Sequence, residues 1–449
     1  MVCLNKIGLE IHVTLNTNTK LFCGCTAKGE EPNSSTCEVC LGHPGAKPTV
    51  NKEAIKKAVR VCKALNTKVR DKVIFSRKNY YYPDLSKNYQ ITQYEEPLGE
   101  EGFLIINNEK IGIKRIHIEE DPAAITREEK GILIDYNRSG TPLVEIVTDP
   151  DLKTSEEARL FMKKLLRTLK YLGVYDKGSV LKADVNVSTS KNNYTRTEVK
   201  NVTGFKEIQR CIEYEVKNQG DESKEQTKSW DAAKGVTILM REKESEADYG
   251  YIYEPDIAPI NVPKKILDEE LPELAEGKIE SYKDLGVKEE DSEIIAEEPL
   301  LARFFEETIQ KSDPRATSKF FRSMLLGILN YNNISIEEYN AKPEDISELV
   351  NMLEKGLINE KTAKKILIEL LEKELKPSKY VEENGLKLLT DKKAIKKMVE
   401  EAFKENPLAV KEYKQGNDKS LNYLVGVVMK KTKGKADPGL VSKIVKENI

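Results

Sequence analysis

The chain has 449 residues, of which 73 are Lys or Arg and 75 are Asp or Glu, for a formal net charge of -2. That length predicts two to four domains at about 100–200 residues each, and 39% hydrophobic with 33% charged residues predicts a soluble globular protein with a heavily charged surface. A nucleic-acid binder held by bulk charge is excluded, because such domains run strongly basic; a membrane span is excluded too, since no window approaches about 18 uncharged apolar residues.

Met1-Val2-Cys3-Leu4-Asn5-Lys6 leads straight into a strand pattern, so no targeting segment is expected. In Ile7–Val13 the apolar residues alternate with Glu10 and His12, which share the other face. Residues 52–65 repeat Ile55, Ala58, Val59, Cys62 and Leu65 at helical spacing, placing Cys62 in the core. Arg77-Lys78-Asn79-Tyr80-Tyr81-Tyr82-Pro83-Asp84 joins cations to clustered aromatics, a composition suited to phosphate contact with stacking. In Ile116–Asp121, His117, Glu119 and Asp121 alternate against two Ile. Thr154 and Ser155 precede Glu156-Glu157 and an apolar series ending before Gly173, a capped helix with a stop signal. Leu181–Val187 sets Lys182, Asp184 and Asn186 on one face; Arg196–Lys200 does the same with Arg196, Glu198 and Lys200. Cys211, with Ile208 and Ile212, lies on another buried helical stripe.

The stretch 263–299 reads as an acidic, Pro-punctuated junction; residues 266–300 hold 13 acids against 3 bases. Beyond it the pattern is helical, with an apolar helix around Phe320–Leu326, an amphipathic run through Ile346, Leu349, Val350 and Leu353, and a hinge at Leu375-Lys376-Pro377-Ser378. Residues 391–449, with 14 Lys and 8 acids, predict a small helical tail broken at Pro407, Gly416 and Pro438-Gly439. The expected fold class is therefore α+β, divided into domains at 1–290, 291–376 and 377–449.

Cys23-x-Cys25 followed by Cys37-x-x-Cys40 pairs four thiols across a polar loop, the pattern of a closed, structural tetrahedral Zn²⁺ site. His43 is not needed as a ligand. Seven Cys, an odd number, in a Lys/Glu-rich chain fit a reducing cytoplasm. Phosphate-loop, zinc-protease and nucleophile-elbow motifs are missing, so nucleotide chemistry would need acid-held Mg²⁺, for which strands lined with acids make a floor.

These words, together with Leu41-Gly42-His43-Pro44-Gly45, Glu119-Glu120-Asp121, the run Asn137–Val147, Glu198-Val199-Lys200-Asn201 and Tyr253-Glu254-Pro255-Asp256, resemble the GatB family over essentially the whole chain. That family forms one of the subunits of the Asp/Glu-tRNA(Asn/Gln) amidotransferases. The resemblance implies a cradle-shaped antiparallel-sheet domain like that of glutamine synthetase, then a helical domain and a tail that holds tRNA. It also implies ATP-dependent phosphorylation of the side-chain carboxylate on misacylated Asp-tRNA(Asn) or Glu-tRNA(Gln). Amidation would follow, with ammonia delivered by an amidase subunit in a heterotrimer completed by a further small subunit; no DNA or membrane partner is implied. On this resemblance Glu10, His12, Glu120 and Glu254 are the expected Mg²⁺ ligands and catalytic residues, with Glu119 and Asp121 nearby. Lys78, Arg138 and Lys200 are expected at ATP phosphates or the aminoacyl end of the tRNA, and Asp184, Asn186 and Glu198 complete the acidic floor. The family pattern is broken at Pro122-Ala123-Ala124, Lys182-Ala183-Asp184 and Asp248-Tyr249-Gly250-Tyr251. A non-catalytic tRNA-binding scaffold of the same fold is the alternative.

Overall fold

The computed structural model describes residues 4–129, 131–220, 224–242, 250–388, 392–432 and 436–449; Cys3, Asp248 and Tyr249 lie outside them. The chain divides into two units, Met1–Leu274 and Ala275–Ile449, a division that falls inside the acidic stretch 263–299.

In chain order the strands of the first unit are β1 (Asn5–Thr14), β2 (Lys68–Val69), β3 (Lys72–Val73), β4 (Ser76–Asn79), β5 (Tyr89–Thr92), β6 (Gly99–Ile106), β7 (Glu109–Glu120), β8 (Ala124–Glu128) and β9 (Gly131–Asp135). They continue with β10 (Pro142–Thr148), β11 (Leu181–Thr189), β12 (Thr197–Thr203), β13 (Gln226–Asp231), β14 (Val236–Glu242), β15 (Gly250–Tyr253) and β16 (Ile260–Asn261). The alternation in β1 is realised in full: Ile7, Leu9, Ile11 and Val13 are all completely buried on one face. β1 lies inside a nine-stranded sheet of order β14-β13-β12-β11-β1-β10-β7-β6-β2. Every pairing in it is antiparallel except β12 with β13, which is parallel. A parallel neighbour needs a crossover, and the helix Phe205–Asn218 supplies it.

Three helices cover the apolar face. α1 (Lys52–Ala64) starts at Asn51, whose side chain accepts from the N–H groups of Glu53 and Ala54. α2 (Ser155–Tyr171) starts at Thr154, which accepts from Glu157 N–H, a cap whose loss typically costs about 1 kcal/mol. α3, the crossover helix Phe205–Asn218, follows Gly204. Cys62 and Cys211 are fully buried in the shared core, with Phe161, Leu165 and Ile208; each fully buried side chain of Phe161's size contributes about 1.5–3 kcal/mol. A small sheet, β15-β4-β5, docks by its β5 edge onto β7: Thr92 Oγ1 donates to Glu119 Oε2 at 3.1 Å, and Ile118 N–H donates to Gln93 Oε1 at 2.9 Å.

The second unit carries only helices and their connections among its described residues. The apolar segment Phe320–Leu326 does form helix, but in a wider register: a π turn, Phe321–Leu325, joins Pro314–Phe320 to Leu326–Asn332. Pro377 opens a helix at its first turn, where its missing N–H costs nothing. The tail forms Lys392–Glu405, Pro407–Lys414, Asp418–Lys431 and Pro438–Asn448, broken where the sequence predicts. They enclose a separate core of residues such as Val399, Leu424 and Val441. No described helix is long and apolar enough to cross a membrane.

Candidate functional site

Opposite the helix-covered face, the central strands carry the acids and imidazoles in cross-strand rows. His12 on β1 lies opposite Glu145 on β10 and Lys182 on β11, and Glu145 lies opposite His117 on β7. One row over, Glu10 faces Asp184, and in the row after that Asn186 faces Glu198 on β12. The small sheet closes over them, leaving a cavity of about 340 Å³. Lys78, Thr92 and Tyr251 line it from that side; Arg115, Arg196 and Lys200 line it from the large sheet. Tyr251 stacks on Tyr94 with ring centroids 3.9 Å apart and planes 11° from parallel.

Two clusters share this cavity. In the first, His12 Nε2 lies 3.4 Å from Glu119 and 3.3 Å from Glu145, while His117 Nε2 lies 3.5 Å and 3.1 Å from the same carboxylates. Burial alone would strip the proton from His12, but the hydrogen bond and charge of Glu145, with the charge of Glu119, lift its pKa to about 10. His117 is lifted to about 9 against the same burial. Burial opposes ionisation of Glu145 as well, yet the two imidazoles hold its carboxyl well below the usual range. Without metal, the carboxylates of Glu145 and Glu119 thus favour the protonated form of both imidazoles. In the second, burial and then the charges of Glu145, Asp184 and Glu198 push the Glu10 carboxyl up, and burial likewise raises Asp184. Lys200 Nζ partly offsets that charge, 3.0 Å from Glu198 and 3.7 Å from Asp184.

Ligand atoms of His12, Glu119 and Glu145 all lie within 4.8 Å of one another, as do those of Glu10, Asp184 and Glu198. Crowded carboxylate oxygens that raise one another's pKa are the donor set a hard divalent cation relieves, which fits the Glu10, Asp184 and Glu198 cluster to Mg²⁺. The first cluster offers two carboxylates and an imidazole that must give up its proton before it can act as a ligand.

Cys23, Cys25, Cys37 and Cys40 also converge, with sulfurs within 4.8 Å of one another. The Cys37 and Cys40 sulfurs are 3.9 Å apart, close to the roughly 3.8 Å that tetrahedral Zn–S bonds impose. All four are free thiols. Without metal they cannot ionise together: the Cys23 thiol pulls Cys40 down to about 4 by hydrogen bonding, and Cys23 itself is pushed far up. The cluster could hold a metal such as zinc.

Family models match the GatB/GatE catalytic domain over residues 5–268 and the GatB domain over residues 303–449. The chain belongs to the GatB family. It is 42% identical to the GatB chain of the aspartyl/glutamyl-tRNA(Asn/Gln) amidotransferase of Thermus thermophilus, with 98% of each chain covered. The corresponding chains of Persephonella marina and Thermotoga maritima are 40% and 41% identical to it, again over 98% of each chain.

Of the residues that likeness to the GatB family implies, Glu10, His12, Lys78, Asp184, Glu198 and Lys200 do line one cavity. The other two expected Mg²⁺ ligands are not brought there. Glu120 lies on the opposite side of β7 from Glu119, because successive strand residues alternate; its carboxylate is 2.6 Å from Lys87 Nζ and accepts from Ile91 N–H at 2.9 Å. Glu254 is completely buried. It accepts a two-pronged contact from Arg77 at 2.7 and 2.9 Å and a further bond from Asp256 N–H. Arg138 lines a second cavity of about 290 Å³ with Asp121, Lys182, His12 and Glu119, and burial raises Asp121 to about 6.

The breaks from the family pattern have structural counterparts. The carbonyls of Pro122 and Ala123 accept from Arg138, and Lys182 lies in the row of His12. Gly250 opens β15 opposite Asn79. Glu145 and His117 also line the cavity, although the likeness to the family implied a role for neither. The signal for Glu145 is an acid alone in the apolar run Pro142–Thr148; for His117 it is the strand alternation with Glu119.

Proposed function

We propose that this chain carries the ATP-dependent half of tRNA amidation. It phosphorylates the side-chain carboxylate of misacylated Asp-tRNA(Asn) or Glu-tRNA(Gln). Ammonia from an amidase subunit, in a heterotrimer with a further small subunit, then converts the product to the amide. The observation that carries this reading is the single cavity holding Glu10, His12, Glu119, Glu145, Asp184 and Glu198 beside Lys78 and Lys200, in a chain of this family. The large sheet and its β15-β4-β5 cover then act as a glutamine-synthetase-like cradle, with the reaction in the cytoplasm and the Lys-rich tail from 377 onward against the tRNA backbone.

A carboxylate resists attack by an amine because its oxygen leaves badly. In the first step a carboxylate oxygen attacks the γ-phosphorus of ATP, and the bond to the β-phosphate oxygen breaks to release ADP. In the second, the ammonia lone pair attacks the acyl carbon, the bond to phosphate breaks, and the nitrogen loses a proton. His12, Glu119 and Glu145 would hold one Mg²⁺ and Glu10, Asp184 and Glu198 another, which when bound neutralise charge on the phosphoryl group in flight. Lys78, Arg115, Arg196 and Lys200 place fixed positive charge around the same oxygens before reaction begins. Glu145 orients both imidazoles, and the small sheet excludes water from the acyl phosphate.

The test is to assemble the chain with its amidase and small subunits, supply each misacylated tRNA, ATP and glutamine, and identify the amino acid released from the tRNA. Asn or Gln formed with stoichiometric ADP is the expected outcome. Retained tRNA binding without ATP-dependent phosphorylation would instead establish the scaffold alternative.

The four Cys are assigned to one structural Zn²⁺ per chain. Metal analysis should find it in the purified protein and lose it when Cys37 and Cys40 are both replaced by Ser; equal metal in the double variant would refute the assignment.

A further inference from the structure

Lys20 stands in a short polar segment, Asn16–Lys20, yet its side chain is completely buried. An ammonium ion out of water is costly unless every donor finds an acceptor. Lys20 Nζ finds three: Ser35 O at 2.8 Å, Tyr136 O at 3.2 Å and Cys40 Sγ at 3.5 Å. The first and third belong to the Cys loop; the second opens the segment Tyr136–Thr141 that leads into β10. The two segments also meet elsewhere. Cys40 O accepts from Ser139 Oγ at 3.3 Å and from Ser86 Oγ at 2.7 Å, and Leu21 N–H donates to Gly140 O at 2.7 Å. Gly140 turns at φ +85°, and a Cβ there would sit 3.5 Å from Lys20 Cδ and 3.6 Å from Cys40 Cβ. Arg138, in the middle of the segment, lines the second cavity.

We infer that Lys20 is the internal countercharge of the Cys23/Cys25/Cys37/Cys40 metal centre, and that through it the metal holds the Tyr136–Thr141 segment, and hence Arg138, in place. The inference rests on the reading that this cluster holds zinc. Four thiolates around a divalent ion leave two negative charges. Cys40 is the member sealed from water, 3% exposed, so the charge there is the least screened. A cation whose remaining donors grip backbone carbonyls on both sides offsets it and joins the two loops. Groups of this kind orient metal ligands without touching the metal, and their loss typically costs about 10–100-fold in affinity.

The full chain is prepared as wild type, Lys20→Met, Lys20→Arg and Cys40→Ser. Zinc is quantified, then competed with a chelator at one fixed pH, and hydrogen exchange at 136–141 is followed before and after stripping. Lys20→Met should bind zinc about 10–100-fold more weakly, with Lys20→Arg recovering most of that loss, and stripping the wild type should raise exchange at 136–141. If Lys20→Met holds zinc as tightly as wild type while Cys40→Ser loses it, the countercharge role is overturned and the zinc reading stands. Wild type free of zinc overturns both. Should Lys20→Met not fold, the wild-type arm decides: unchanged exchange at 136–141 on stripping overturns the inference, and raised exchange at those amides supports it.

Discussion

Glu145→Gln is expected to slow ATP-dependent amide formation by about 10–100-fold and to raise the Mg²⁺ concentration needed for half-maximal rate. The amide keeps the shape of the side chain but removes the charge that lies 3.3 Å from His12 and 3.1 Å from His117. That is one of the two negative charges of the first cluster. Stability should carry a second signature in metal-free protein. Both histidines have folded pKa values, about 10 and about 9, above the ordinary 6.5. Their contribution is therefore complete below about pH 6.5 and is lost as pH rises through 9 to 10. The thermal midpoint of Glu145→Gln should fall furthest below wild type near pH 6, and the gap should close above pH 10. Wild-type turnover in this variant, at ordinary Mg²⁺, would remove Glu145 from the site.

Arg77→Ala should destabilise the first unit by about 3–5 kcal/mol, the usual cost of stripping one partner from a buried ion pair. Glu254 is completely buried and Arg77 only 19% exposed at its side chain, so water cannot take over the lost contact. Arg77→Lys should lose less, since an ammonium restores charge but not the two-pronged fit. The measurement is the urea midpoint of the unit's unfolding. A loss below about 1 kcal/mol would mean that Glu254 tolerates burial without its arginine, and would reopen its candidacy as a metal ligand.

What the residue order makes legible follows from how far each signal reaches. Spacing alone announces the Cys cluster, because its ligands lie within eighteen residues of one another. Period-2 alternation places Glu10 with His12 and His117 with Glu119. The same alternation puts Glu120 on the other side of its strand, where the family motif suggests a ligand. Glu145 is hidden for a physical reason. β10 is buried on both faces throughout, so it shows no alternation, and an acid within it looks like an isolated exception. Glu254 is opaque because its partner Arg77 is 177 residues away. Lys20 is opaque because a lysine in a polar segment is ordinarily solvated.

The position of β1 has a consequence for how the protein is made. Its two neighbours, β10 and β11, are encoded more than a hundred residues after it. At about 5–20 residues per second, a ribosome takes roughly 6–35 s to reach them. Through that interval Ile7, Leu9, Ile11 and Val13 belong to an apolar segment whose two pairing strands do not yet exist. The segment bearing Glu10 and His12 is thus made early and locked late. The rows that bear Glu10 and His12 come together only when the middle of the sheet closes.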